Sequence, residues 1–264
     1  IFFISLLAYV HSRTITQSAE IKTIEDKKII SIASPIVIIV LFAVLYVVNI
    51  KPFEANANLI KALQVVQGDT ASIKQAYGYL KEAHDDSRLG RPEVVEWIIS
   101  NSQQVLSSGI STEDKNTYFN FAKKSVDDLL IEFGKDARYQ ILAGTFYSKT
   151  GFPDDALKHL NIAKELIPGK QLVYIELGSA YLNKGDTANA LASFKQAYEL
   201  APGYTTAKIV YLIGGIYAGD SSVINKMSSE LPEETIVTDD RVAGALMNTK
   251  NYQALIQVLQ KRLV

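Results

Sequence analysis

The sequence predicts an all-α protein: one complete transmembrane helix, preceded by a truncated one, and then an α-solenoid built from helix pairs. Three observations carry this. Residues 29–50, "IISIASPIVIIVLFAVLYVVNI", contain no charge; two consecutive blocks of the second half repeat in one register; and no segment after residue 52 alternates with the period of a strand.

The membrane segment comes first. At about 1.5 Å rise per residue, 22 helical residues span the roughly 30 Å hydrocarbon core of a bilayer. Fifteen of the 22 are Ile, Val, Leu or Phe, and each favours insertion by about 0.3–0.6 kcal/mol at mid-membrane. Pro35 is expected in the first turn, where a helix tolerates it, Tyr46 near the far interface, and Asn49, Lys51 and Pro52 at the exit. Residues 1–10, "IFFISLLAYV", are too short to cross alone and are read as the last half of an earlier span, so the chain is expected to be a fragment. The loop 11–28 carries Arg13, Lys22, Lys27 and Lys28, against Lys51 and Lys61 after the second span. The positive-inside rule therefore assigns the loop to the cytoplasm and the rest of the chain to the non-cytoplasmic side.

The expected division is a membrane segment over 1–51, helix pairs over 52–135 and a regular solenoid over 136–264. The regular part is the clearest. Gly144/Gly178, Tyr147/Tyr181, Gly151/Gly185, Ala156/Ala190, Leu160/Phe194, Ala163/Ala197 and Pro168/Pro202 all stand 34 residues apart. Glycine permits close approach of the paired helices at 144 and 178, the tyrosines fill space, and the alanines hold the second helix against the first. Gly151 and Gly185 are placed to end the first helix of each pair, Pro168 and Pro202 to close the second. This register resembles the tetratricopeptide repeat (TPR) family, whose helix pairs stack because none buries its apolar face alone. Weaker pairs are read in 205–238, in the tail turning at Lys250 and Asn251, around Gly68, and on either side of the Gly109–Ser111 turn. Thr112 followed by Glu113 and Asp114 reads as a helix start. The last pair stops without a polar capping helix, which fits truncation at that end too.

Composition excludes some functions. The 264 residues are 48% hydrophobic and 21% charged, with 27 basic against 28 acidic groups, so there is no basic field for nucleic acid. Cysteine is absent, and with it disulfides, thiolate metal sites and cysteine nucleophiles. His11, His84 and His159 fall on separate elements, without the i, i+4 spacing of a metal pair, and are expected at the surface. The cluster Lys81–Arg88 reads as a solvated helix end, and the two "GDT" triplets, at 68 and 185, as inter-helix turns. No catalytic residue, cofactor or metal site is read in these residues.

The TPR resemblance implies a concave groove lined by first helices: Arg138, Ile141, Thr145 and Ser148, then Leu172, Ile175, Ser179 and Leu182, then Ile209 and Ile213. It is expected to be apolar, with one base, and to take a protein or extended peptide, or the chain's own membrane domain. Family members that clamp a terminal carboxylate carry Lys and Asn where this chain has Ile141, Thr145, Ile175 and Ser179, which speaks against that role.

The stretch "YVVNIKPFEANANLIKAL", preceded by a span and followed by "RLGRPEVVEWI" and the repeats, resembles the end of bacterial O-antigen ligase or polymerase family proteins. The specific part runs from Ala33 to Ala62. Those proteins are polytopic transferases of lipid-linked glycans, and in one branch the last span leaves through a similar N-I-K-P exit into a repeat-rich tail. The resemblance implies the bacterial inner membrane and a tail that presents an acceptor or assembly partners. The family's catalytic basic residues lie in earlier spans and an external loop, so none is carried over. The alternative is a non-catalytic membrane-anchored scaffold of the secretion or pilus type.

Overall fold

The computed structural model describes residues 27–65, 70–86 and 91–262; the expected partial span 1–10, most of the loop after it and the turn around Gly68 lie outside them. Among the described residues there are helices and no strand. The chain divides into two units, Ile1–Lys51 and Pro52–Val264.

In the first unit, α1 covers Lys27–Leu45 and a π turn covers Tyr46–Ile50, closed by the Lys51 N–H donating to the Tyr46 carbonyl. The Asn49 side chain returns a hydrogen bond to the Leu45 carbonyl (3.1 Å). Pro35 lies inside α1 and not in its first turn, so one rung of the helical ladder lacks its N–H. Among the described residues one helix, Pro35–Gln64, is long and apolar enough to cross a membrane. Every side chain from Pro35 to Ile50 is exposed.

The second unit is a run of antiparallel helix pairs. Its helices are α2 (Lys51–Val65), which begins one residue before the boundary, and α3 (Thr70–Asp86), then α4 (Arg91–Ser107) and α5 (Thr112–Phe133). Next come α6 (Ala137–Lys149) with α7 (Pro153–Leu166), α8 (Gln171–Lys184) with α9 (Thr187–Leu200), and α10 (Thr205–Ala218) with α11 (Ser221–Glu230). A short α12 (Glu233–Thr238), not expected from the sequence, precedes the last pair, α13 (Asp240–Asn248) and α14 (Tyr252–Lys261). The start of α5 is capped one residue earlier than the sequence suggests: the Ser111 hydroxyl accepts the Asp114 N–H at 3.1 Å.

The 34-residue register has a direct steric origin. A methyl group at Gly144 would fall inside the Leu160 side chain, and one at Gly178 inside the Phe194 ring, each closer than 3.0 Å. The glycine of the first helix is a socket for the large residue of the second. In the next pair the socket moves, because the position 34 after Gly178 is Leu212. Gly214 and Gly215 stand side by side, and a methyl group there would lie 2.9 Å from Phe194 of the preceding pair and 2.8 Å from Val223 of the same pair. Leu160 and Phe194 are buried, as are Ala156, Ala163, Ala190 and Ala197 around them. Two apolar clusters result, one from Leu59 to Ala180 and one from Ala190 to Leu246, with Tyr181 packed against both.

The turns within pairs repeat as well. Phe152, Asp186, Asp220 and Asn251 each donate a backbone N–H to the carbonyl five residues back, on Tyr147, Tyr181, Gly215 and Leu246. This closure puts the preceding residue in the left-handed region, at Gly151, Gly185 and Gly219 (φ 88°, 82° and 68°). In the last pair Lys250 takes that place with φ 58°, the one non-glycine residue of positive φ among those described. Asp186, Asp220 and Asn251 then cap the following helix through their side chains.

The sockets and the turns make separate predictions for stability. Gly178→Ala is expected to lower the unfolding free energy by about 1–3 kcal/mol through overpacking against Phe194. Gly169→Ala, whose methyl group meets nothing within 4 Å, stays within about 0.5 kcal/mol of the parent; urea unfolding followed by circular dichroism compares them. In the same assay Lys250→Gly is expected to gain about 1 kcal/mol by relieving the left-handed residue, and Gly185→Ala to lose about as much.

Candidate functional site

The first helices α6, α8, α10 and α13 lie side by side, and polar bridges join α6 to α8 and α10 to α13. The Thr145 hydroxyl of α6 donates to a Glu176 carboxylate oxygen of α8 at 2.9 Å. Asn183 of α8 donates from Nδ2 to both the carbonyl (3.0 Å) and the hydroxyl (2.9 Å) of Ser148. Between α10 and α13, the Asn248 amide donates to the Tyr217 hydroxyl at 2.8 Å. These bonds join residues 31 or 35 apart, so each one ties a helix pair to the next.

The sequence-expected groove residues separate into three groups by burial. Arg138 and Leu172 are exposed; Ile141, Thr145, Ile175, Ser179 and Leu182 are half-buried; Ser148, Ile209 and Ile213 are buried. Ser148 is consumed by Asn183, while Ile209 and Ile213 belong to the core cluster that includes Val242 and Leu246 of α13. The sequence-expected residues that stay accessible therefore lie on α6 and α8. Glu176 and Asn183 on α8 are the bridging side chains that the expected groove set lacks; Asn183 directly follows Leu182, and Glu176 is the one acid in α8.

The face is chemically quiet. Its base, Arg138, is held by Asp136 through Nη2 at 2.8 Å and Nε at 3.2 Å and lies over the Tyr139 ring, 5.2 Å from the centroid. The hydrogen bonds from the Arg138 side chain and backbone keep the Asp136 carboxyl below its usual range, so Asp136 serves as the α6 cap and counter-ion. Next to Arg138 the surface dips into a hollow of about 1130 Å³ between the end of α5, the start of α6 and the end of α7. Ile131, 85% exposed, and Leu166 stand open in its lining, with Lys135 and Lys170 beside them. No group of three His, Cys, Asp or Glu side chains able to hold a metal occurs among the described residues. What the face offers is apolar contact with a few fixed hydrogen-bonding groups, which suits a polypeptide partner.

Two histidines are not at the surface as the sequence suggests. His84 is buried, edge-on to Phe121 at 5.5 Å. His159, half-buried, stacks on Tyr147 at 5.5 Å, and its Nδ1 is 2.8 Å from the Gln140 side-chain oxygen. Gln140 in turn donates to the Gly134 carbonyl at 2.7 Å, linking α7, α6 and the turn before it. Burial, aided by the Lys158 charge, holds the His159 pKa below its ordinary 6.5. The unfolded chain then accepts a proton that the folded chain resists, so this contribution to stability is full above pH about 6.5 and lost as pH falls through the folded pKa. Unfolding measured from pH 7.5 to 5 is expected to show a steeper loss for the parent than for His159→Gln.

Residues 171–204, which contain α8 and α9, match the tetratricopeptide repeat family model. Among solved structures, the chain is similar to TTC0263, a thermophilic TPR protein of Thermus thermophilus. The two are 17% identical over 73% of this chain and 99% of that one, with a TM-score of 0.49. PilF of Pseudomonas aeruginosa is 15% identical over 81% of this chain and 93% of that one, also with a TM-score of 0.49. No curated protein matches the chain.

Proposed function

We propose that this chain is a membrane-tethered protein-interaction module of TPR type, the tail of a lipid-linked glycan transferase resembling the O-antigen ligases. In this reading it presents an acceptor or an assembly partner to an active site that lies outside these residues. The observation that carries the tether is the exposure of α1. The most apolar window of the continuous helix Pro35–Gln64 has a mean hydropathy of 2.4 and none of it is buried, whereas most of the large apolar side chains after it pack into two clusters. An uncharged helical stretch whose side chains from Pro35 to Ile50 are all exposed among the described residues suits lipid as its solvent.

The interaction role is supported by the bridged face of α6 and α8. Ile141, Ile175 and Leu182 are apolar and partly open, and the neighbouring polar groups are fixed in place, so little side-chain entropy is lost on binding. The glycan-transferase context is supported by the sequence from Ala33 to Ala62, and the non-cytoplasmic side by the basic residues between 11 and 28.

The tether and side are tested together. The chain is expected to remain in the membrane pellet after an alkaline carbonate wash, and residues 52–264 to be digested by protease added to intact spheroplasts. Release by carbonate would contradict the tether; protection of the tail with the membrane sealed would reverse the orientation. With the tether established, Leu172→Asp, at a groove residue that is 42% exposed and outside both clusters, is expected to weaken partner capture at least tenfold without shifting the melting temperature by more than about 2 °C.

A further inference from the structure

The hollow between the end of α5, the start of α6 and the end of α7 departs from the repeat in a way that packing does not require. Helices α6, α8 and α10 begin 34 residues apart, at Ala137, Gln171 and Thr205. In that register Ile131 falls on Glu165 near the end of α7 and on Glu199 near the end of α9, both exposed, while Lys135 falls on Gly169 and Gly203. The following pairs thus place an acid where this junction has an isoleucine, and a glycine where it has a base. Ile131 is 85% exposed and belongs to neither core cluster, so the fold gains nothing from its apolar side chain. Leu166, across the hollow, is also exposed and outside both clusters, and Phe133, half-buried against Tyr139, completes the apolar lining. A partner that covers these side chains removes apolar surface from water that the array itself leaves wet.

The charges around the hollow select the partner. Asp136 and Arg138 satisfy each other at 2.8 Å. The other charged residues of the lining are Glu132, Lys135 and Lys170, and none of them has an ion pair among the described residues. Two free ammonium groups therefore stand against one free carboxylate, and Glu165, beside Leu166 in the chain, lies outside the lining. The register shows the same bias: relative to the following pairs this junction has lost an acid at 131 and gained a base at 135. Both changes favour an occupant that is apolar at its centre and negative at its edges.

We infer that this hollow docks a polypeptide segment in which a large apolar side chain is flanked by Asp or Glu. The apolar side chain sits against Ile131, Leu166 and Phe133, and the carboxylates face Lys135 and Lys170. The hollow shares only Arg138 with the expected groove set, and the inference does not rest on the proposed function.

The test uses the full chain in zwitterionic detergent micelles, with empty micelles as the baseline, and a short fluorescent peptide whose central Leu-Phe pair is flanked by Asp and Glu. Anisotropy is expected to show saturable binding, weakened about tenfold or more by Ile131→Glu, and as much when Lys replaces the flanking acids of the peptide. Ile131→Glu installs the residue type that the following pairs carry, so its circular dichroism is expected to match the parent; should it fail to fold, the peptide substitution decides. Lys135→Ala with Lys170→Ala is expected to abolish the weakening of binding by added salt. Absence of saturation at millimolar peptide, equal binding by Ile131→Glu, equal binding of the two peptides, or a salt dependence kept in the lysine double variant overturns the inference. Sedimentation showing self-association without peptide, lost in Ile131→Glu, also overturns it in favour of a second copy as occupant.

Discussion

The Phe194 ring sits between two glycines, Gly178 of its own pair and Gly214 of the next, and the order of the second unit depends on that placement. At both positions an added methyl group would collide with the ring. One side chain therefore sets the spacing within a pair and the spacing between pairs. Leu160 and Gly144 repeat the first half of this arrangement one pair earlier. Because packed interiors have little free volume, the sockets leave one workable register, and a buried phenyl contributes about 1.5–3 kcal/mol by leaving water. A helix pair of this kind has apolar surface on two sides, and only stacking removes both from water.

Stacking also builds the candidate binding face. Once the second helices fix the offset, the first helices come close enough for Thr145 to reach Glu176 and Asn183 to reach Ser148. These bridges use polar groups that would otherwise compete for a ligand and leave Ile141, Ile175 and Leu182 as the open apolar points. The face is thus a by-product of packing, which explains its lack of convergent titratable groups. In the last described pair Ile256 and Leu259 of α14 are exposed.

How far the sequence discloses this depends on whether a feature is local or borrowed from a neighbour. The sockets at Gly144 and Gly178, the left-handed turns at Gly151 and Gly185, and the turn at Lys250 and Asn251 are legible, because each follows from residues a few turns apart. The 34-residue register makes α6 to α9 readable residue by residue. It misleads at Ile209 and Ile213, whose groove positions are correct by register but are closed over by core packing with α13. The turn residue of that last pair, Lys250, stands 31 residues after Gly219 and not 34, so the repeat does not anticipate its arrival. Ser148 is misplaced for a similar reason: its partner Asn183 lies on another helix. His84 reads as solvated from its acidic neighbours Asp85 and Asp86, yet Phe121 of α5 packs against it. Pro35 reads as a first-turn residue because a helix tolerates proline best there, whereas α1 begins at Lys27, two turns earlier.

The claim that Phe194 couples neighbouring pairs is tested most directly by native-state amide hydrogen exchange on Phe194→Ala. With both glycine sockets emptied at once, α8, α9 and α10 are expected to lose protection together, while α4 and α5 keep theirs. Loss confined to α8 and α9, with α10 unchanged, would contradict it and make the pairs independent units joined only by their turns.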